Sequence, residues 1–254
     1  MEKIDILSLS PETLGQYLAE MGEPKFRAKQ LFSWLHQKQV TDFAQMTTLS
    51  LQLRQKLNEK FCINRLNIAR KLASSADDTV KYLYELPDGN FVETVLMDYH
   101  HGKSLCISTQ VGCRMGCQFC ASTIAGYVRD LQPSELLLQI YETQRDAGCR
   151  IDSIVLMGIG EPLDNFDNVV QFFRLLSHPD GMNMSLRHAA LSTCGLVPQI
   201  RQLADLRLGV TLSVSLHSPE NQRRSEIMPV NRRYPVEELL DACRYYFDKS
   251  EAKR

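Results

Sequence analysis

Apolar residues recur every three or four positions through the first sixty residues, the spacing of one helix face. Ser10-Pro11 reads as a helix start, a capping hydroxyl before proline at the first helical position, and Leu14, Leu18 and Met21 then share a face. A second helix is expected from Phe26 to His36, with Phe26, Leu31, Trp34 and Leu35 as its apolar stripe. A third starts after Ser50 and carries Leu51, Leu53, Leu57 and Phe61. Together they predict a small helical bundle, separate from the rest of the chain.

The period then shortens. Leu66–Leu72, Val80–Leu86, Phe91–Tyr99 and Leu105–Thr109 are short β-branched and aromatic runs, and Pro87-Asp88-Gly89-Asn90 has the residues of a hairpin turn. From Cys106 onward strands alternate with helices. Strands are expected at Leu105–Thr109, Ser153–Met157, Ala189–Thr193 and Thr211–Leu216. Helices are expected at about 134–147, 168–176, 197–206 and 236–247. This alternation predicts βαβ units on a parallel sheet. Four such units make an open sheet and are too few to close a barrel. The expected division is a helical domain over 1–62, a β-strand linker over 63–104 and an α/β core over 105–254.

Composition narrows the class. The chain has 254 residues, 44% hydrophobic and 23% charged, with a formal net charge of −1, which is ordinary for a globular protein and excludes disorder or low complexity. Near-neutral charge excludes holding nucleic acid by bulk electrostatics alone, although a local basic patch is compatible with it. No apolar run approaches the roughly 20 residues of a membrane span, and the N-terminus lacks the marks of a signal peptide. The expected location is therefore the cytoplasm. Eight cysteines there imply metal or catalysis rather than a disulfide framework.

Cys106, Cys113, Cys117 and Cys120 cluster, whereas Cys62, Cys149 and Cys243 read as inert thiols. Three thiolates in one loop suit three irons of a cubane cluster, with the fourth iron open to a small ligand. Gly112 and Gly116 let that loop turn tightly. A zinc site recruiting Cys106 as fourth ligand is the alternative. Gly158-Ile159-Gly160-Glu161-Pro162 lies just past an apolar strand, where α/β proteins bind ligands, and Glu161 there suits an ammonium or a ribose. Ser192-Thr193-Cys194-Gly195 and Ser215-Leu216-His217-Ser218 end the next two strands, so three polar rims beside a thiolate loop suggest one shared site. Glu93 reads as the outward position of an alternating strand. Arg223, Arg224, Arg232 and Arg233 either solvate the loop around Met228-Pro229-Val230-Asn231 or bind phosphate, and Lys25, Arg27 and Lys29 carry the same ambiguity.

Collectively these motifs resemble a known family. Cys113-x3-Cys117-x2-Cys120 is similar to the cluster loop of radical S-adenosylmethionine enzymes. The longer strings CISTQVGCRMGCQFCAST, MGIGEPLDNFDNV, LSTCG, SLHSP and MPVNRRYPVEELL resemble the RlmN/Cfr family of RNA methyltransferases, and within it the RlmN branch. The resemblance implies a partial (β/α)6-type radical SAM barrel behind a helical accessory domain that helps to hold RNA. It implies that Cys113, Cys117 and Cys120 ligate a 4Fe-4S cluster whose open iron chelates S-adenosyl-L-methionine. Gly160, Glu161, Ser192, Ser215, Leu216 and His217 then contact that cofactor, Cys106 is a catalytic cysteine and Glu93 a proton acceptor, which reverses its bland reading.

The implied reaction methylates carbon 2 of an adenine in 23S ribosomal RNA, with transfer RNA as a further candidate substrate. Its implied course runs through a methyl-cysteine near the C-terminus, with electrons from a flavodoxin or ferredoxin, in a monomeric enzyme away from membranes. Carbon-8 methylation of the Cfr type is the rival within the family. A non-catalytic zinc-stabilised RNA-binding module is the rival outside it. Two departures stand out: Cys194 replaces the family's usual serine, and the methyl-carrying cysteine has no counterpart, so the expectation is a truncated form unable to complete turnover alone.

Overall fold

The computed structural model describes residues 3–100 and 102–250. A short strand β1 (Ile4–Asp5) leads into α1 (Pro11–Glu20), α2 (Phe26–His36) and α3 (Leu51–Lys60), and β2 (Phe61–Cys62) returns to pair in parallel with β1. The expected caps are present: Ser10 Oγ accepts the Thr13 amide and Ser50 Oγ accepts the Leu53 amide, each at 3.2 Å. Leu14, Leu18, Leu31, Leu35, Leu53 and Leu57 are buried as their spacing requires. Phe26 and Leu51 are not, being 57% and 65% exposed. Each stands at a helix start, outside the buried stripe, and on α2 Ala28 and Phe32 fill the inner face instead.

Three antiparallel strands come next, β3 (Asn67–Ala73), β4 (Val80–Glu85) and β5 (Phe91–Tyr99), then β6 (Gly102–Cys106). A small hairpin of β7 (Gln110–Gly112) and β8 (Tyr127–Asp130) precedes α4 (Pro133–Ala147). The rest runs β9 (Ser153–Leu156), α5 (Phe166–Ser177), β10 (Ala189–Thr193), α6 (Val197–Asp205), β11 (Thr211–Val214), α7 (Asn221–Ile227) and α8 (Val236–Lys249). One seven-stranded sheet has the order β11-β10-β9-β6-β5-β4-β3. Its β11-β10-β9-β6 half is parallel and its β6-β5-β4-β3 half antiparallel.

Residues expected as a linker thus extend the central sheet: β5 pairs with β6 through Val95↔Cys106 and Leu96↔Leu105, and the expected boundary at 104/105 falls inside β6. The expected strand Leu105–Thr109 is shifted, because Ile107 to Thr109 leave the ladder toward the cysteine loop. The hairpin β7–β8 and the helix α7 carried too short a pattern to be expected.

Burial alternates along the strands. Leu105, Ile154, Leu156, Ala189, Leu191 and Thr193 are buried beneath the helices, while Val155, Ala190 and Ser192 on the other face are only half-buried. Helical cover on one face is compatible with a partial barrel, whereas a doubly wound sheet is covered on both. The mixed α/β fold around a central sheet agrees with expectation. It leaves the carboxyl ends of β6, β9, β10 and β11 along a single rim, and no helix among the described residues is long and apolar enough to cross a membrane.

Candidate active site at the carboxyl rim of the parallel strands

A cavity of about 290 Å³ opens at that rim, at the lower edge of the range for small-molecule sites. Its wall is built from loops that the local sequence forces into place. The β7–β8 hairpin carries the cysteine loop, and its neck is closed by Gly112 at φ 72°, where a Cβ would lie 1.7 Å from the Gly126 carbonyl oxygen. No side chain fits there. Cys113, Cys117 and Cys120 from this loop all line the cavity, the first two buried. Met228 and Cys194 pack against Cys117, with Met115, Cys120, Ile227 and Val230 around them. Burial and the neighbouring thiols push Cys117 up to about 11, and burial also raises Cys113. Without a metal these thiols stay protonated at neutral pH; bound iron or zinc would displace the protons.

The opposite wall runs on from β9. Gly158, Gly160 and Glu161 line it. Gly160 has φ 106°, and a Cβ there would come within 2.7 Å of the Gln110 backbone nitrogen, so glycine is required by packing before any ligand is considered. Gln110 is a hub that the sequence did not advertise. Its Oε1 accepts the Glu161 amide at 2.8 Å and its Nε2 donates to Asp130 and Asp164, both at 2.8 Å. The Glu161 residue is 4% exposed and its carboxylate joins two rims: Oε2 accepts the Cys194 amide at 2.8 Å and Oε1 the Leu163 amide at 3.1 Å. Burial raises its pKa, and the amide of Cys194 opposes that. Cys194 is itself raised, by burial and then by Glu161.

The third wall is made by β10 and β11. Ser192 Oγ and Ser215 Oγ stand 3.3 Å apart in the cavity. His217 has the left-handed φ of 57°, and its ring lies 4.3 Å from the Phe119 ring of the cysteine loop. Together they form one side of the cavity mouth. Of the residues singled out for cluster, cofactor or catalysis, Cys113, Cys117, Cys120, Gly160, Glu161, Ser192, Ser215 and His217 are thus brought together. The hairpin neck and the Glu161 bridge are what gather them. Met157, Met115 and Phe119 also line it; isolated apolar residues in loops carry no sequence signal.

Three candidates lie outside the lining. Leu216 packs toward the core, and its carbonyl accepts Arg224 Nε at 3.1 Å. Cys106 ends β6 on the open face, where burial raises its thiol and a hydrogen bond with the Met157 backbone opposes the shift. Glu93 lies on the same face two residues from Val95, the cross-strand partner of Cys106, and its carboxylate pairs with Lys81 at 2.6 Å. Cys106 is thus not among the residues that line the cavity with the loop thiols. Among the described residues no group of three or more His, Cys, Asp or Glu side chains forms a ready nest for a single ion. A cubane places each thiolate on a different iron, so three thiols spread over one cavity wall suit it better than they suit one tetrahedral zinc.

The arginines of 223–233 divide. Arg223, Arg232 and Arg233 are exposed, but Arg224 is fully buried. The expectation that Arg224 solvates the loop or binds phosphate at its surface is corrected: α7 turns it inward while Arg223 faces out.

Comparison with known proteins gives the same picture. A family model described as the ribosomal RNA large subunit methyltransferase N-terminal domain matches residues 4–63, and one for the radical SAM superfamily matches residues 107–251. A probable dual-specificity RNA methyltransferase RlmN from Lachnoclostridium phytofermentans is 51% identical over 249 residues, spanning 98% of this chain and 70% of the relative. The chain belongs to the RlmN family of the radical SAM superfamily. Another RlmN-family relative, from Alkaliphilus oremlandii, is 50% identical over 98% of this chain and 73% of its own length. The crystal structure of a radical SAM methyltransferase from Sphaerobacter thermophilus superposes with a TM-score of 0.90 at 38% identity, over 97% of this chain and 73% of that one. As a member of the RlmN family the chain is an RNA methyltransferase of the radical SAM type.

Proposed function

We propose that this chain serves the methylation of carbon 2 of an adenine in 23S ribosomal RNA, and of an adenine in transfer RNA, in the cytoplasm. The observation that supports the reading is the cavity in which Cys113, Cys117 and Cys120 face Glu161, Ser192, Ser215 and His217. A 4Fe-4S cluster and S-adenosyl-L-methionine would supply, when bound, the electron and the one-carbon unit. Cys113, Cys117 and Cys120 would hold the cluster. Gly160 and Glu161 would receive the ammonium end of the cofactor, and Ser192, Ser215, Leu216 and His217 its remainder. Met228 and Met115 pack against the loop thiols.

Two residues on the open sheet face act on the base. Glu93 Oε1, held by Lys81 Nζ at 2.6 Å, takes the proton that the ring carbon must lose. The Cys106 sulfur attacks the sulfur of the thioether that joins the base to a methyl-carrying cysteine, so that a disulfide forms, the carbon–sulfur bond breaks and the released carbon takes up a proton to become the methyl group; that second cysteine has no counterpart among these 254 residues. The chain is read as a monomer that takes electrons from a flavodoxin or ferredoxin.

The deciding experiment is analysis of iron, sulfide and zinc in chain purified without oxygen, then reduction in the presence of S-adenosyl-L-methionine. Iron and sulfide in cubane ratio with formation of 5′-deoxyadenosine are expected. Replacing any one of Cys113, Cys117 or Cys120 by alanine should abolish both, whereas Cys106→Ala should leave both intact. Zinc without sulfide would overturn the reading in favour of a binding module.

A further inference from the structure

Among the described residues Arg224 is the largest fully buried side chain, and it is 0% exposed. Its guanidinium spends its donors on neutral oxygens. Nη2 donates to the Cys194 carbonyl at 2.6 Å, Nη1 to Asn231 Oδ1 at 2.9 Å and Nε to the Leu216 carbonyl at 3.1 Å. Among the described residues no Asp or Glu forms an ion pair with it. Carbonyls satisfy the hydrogen bonds but leave the positive charge uncompensated, and a buried charge without a counter-charge is costly. Such an arrangement is stable when an anion completes it.

The charge borders the thiolate loop. Burial pulls the Arg224 pKa down, and the sulfurs that oppose that pull are those of Cys194 and Cys117, both wall residues of the cavity. Gln118, next to Cys117, donates its amide to the Ile227 carbonyl at the end of α7, so the helix bearing Arg224 is bonded directly to the cysteine loop. Three thiolates around a dicationic cubane core carry one net negative charge, and reduction adds a second. Nearby charge and hydrogen bonding are among the terms that set a cluster's potential.

We propose that Arg224 is the counter-charge of the iron–sulfur cluster: it stabilises the reduced state and raises the reduction potential from behind the thiolate loop. The proposal rests on the cluster reading above. Arg224 acts through space, and through the Cys194 and Leu216 carbonyls it also fixes the spacing of the β10 and β11 rims.

The test is a redox titration, monitored by electron paramagnetic resonance, on anaerobically reconstituted chain without added cofactor. Wild type is compared with Arg224→Gln, Arg224→Lys and Asn231→Asp; the last places a carboxylate against Nη1 and gives up the Asn231 Nδ2 hydrogen bonds to Asn221 and Ser225. At the wild-type midpoint, the reduced-to-oxidised ratio should fall about tenfold in Arg224→Gln, equivalent to about 59 mV for one electron. Asn231→Asp should shift the same way, and Arg224→Lys should stay near wild type. If Arg224→Gln does not fold, Asn231→Asp decides. Unchanged midpoints in the variants that load a cluster, or loss of fold in all three, would give Arg224 a structural role only and overturn the proposal. Absence of iron and sulfide from wild type would instead remove the cluster reading, and the proposal with it.

Discussion

His36 on α2 is fully buried, its Nδ1 3.0 Å from the Tyr141 hydroxyl and its ring 4.3 Å from that of Phe32. Burial holds its pKa down to about 3, against an ordinary value of 6.5. The folded protein therefore keeps it neutral while the unfolded chain takes up a proton below pH 6.5. Stability present above that pH should fall by about 1.4 kcal/mol per unit as the pH drops toward 3. Urea midpoints measured between about pH 7 and pH 4 should show this limb, and His36→Gln, which cannot titrate, should flatten it. Glu93 shows what the same scale hides from sequence. Alternation along β5 places it correctly on the open face, but only pairing with β4 brings Lys81 onto its carboxylate.

At the level of elements, α4 is fastened to the strand exit that launches the cysteine loop by one buried side chain. Gln139 Oε1 accepts the Ser108 amide at 2.9 Å and the Thr94 hydroxyl at 2.8 Å, while Nε2 donates to the Ser108 carbonyl at 3.0 Å. Ser108 in turn donates its hydroxyl to the Glu93 carbonyl at 2.6 Å and accepts the Ile159 amide at 3.0 Å. One helix residue thus sets the register between β5, β6 and the glycine loop after β9. Gln139→Leu keeps the volume but orphans three buried polar groups, and should cost on the order of 2–5 kcal/mol in urea unfolding. The longer helices and the Ser10 and Ser50 caps were legible because they depend on residues within a few positions of each other. The Gln139 clamp was not, since a glutamine in an amphipathic helix gives no sign of what it will meet.

Over the whole molecule, the helical bundle and the sheet share one hydrophobic core running from Ile6 and Leu7 through Phe32 and Leu35 to Tyr141, Phe172 and Tyr246. Polar contacts cross the same boundary: His36 Nδ1 lies 3.0 Å from the Tyr141 hydroxyl, and the Ser134 amide donates to Ser8 Oγ at 3.1 Å. The bundle and the sheet therefore pack around a common core. Calorimetry should give one transition with calorimetric and van't Hoff enthalpies in agreement, whereas two resolved transitions would show that the bundle melts alone.

Periodicity, capping and motif spacing are local, and for that reason the longer elements, the hairpin turn at 87–90, the thiolate loop and the polar strand ends could all be read from the chain alone. Which of these meet was settled by packing. It joined β3–β5 to the parallel strands, left Cys106 and Glu93 on the open face rather than in the cavity, and turned Arg224 inward beside the thiols. Those outcomes depend on strand pairing and on which helix face is covered, and both are fixed by contacts between residues far apart in the chain.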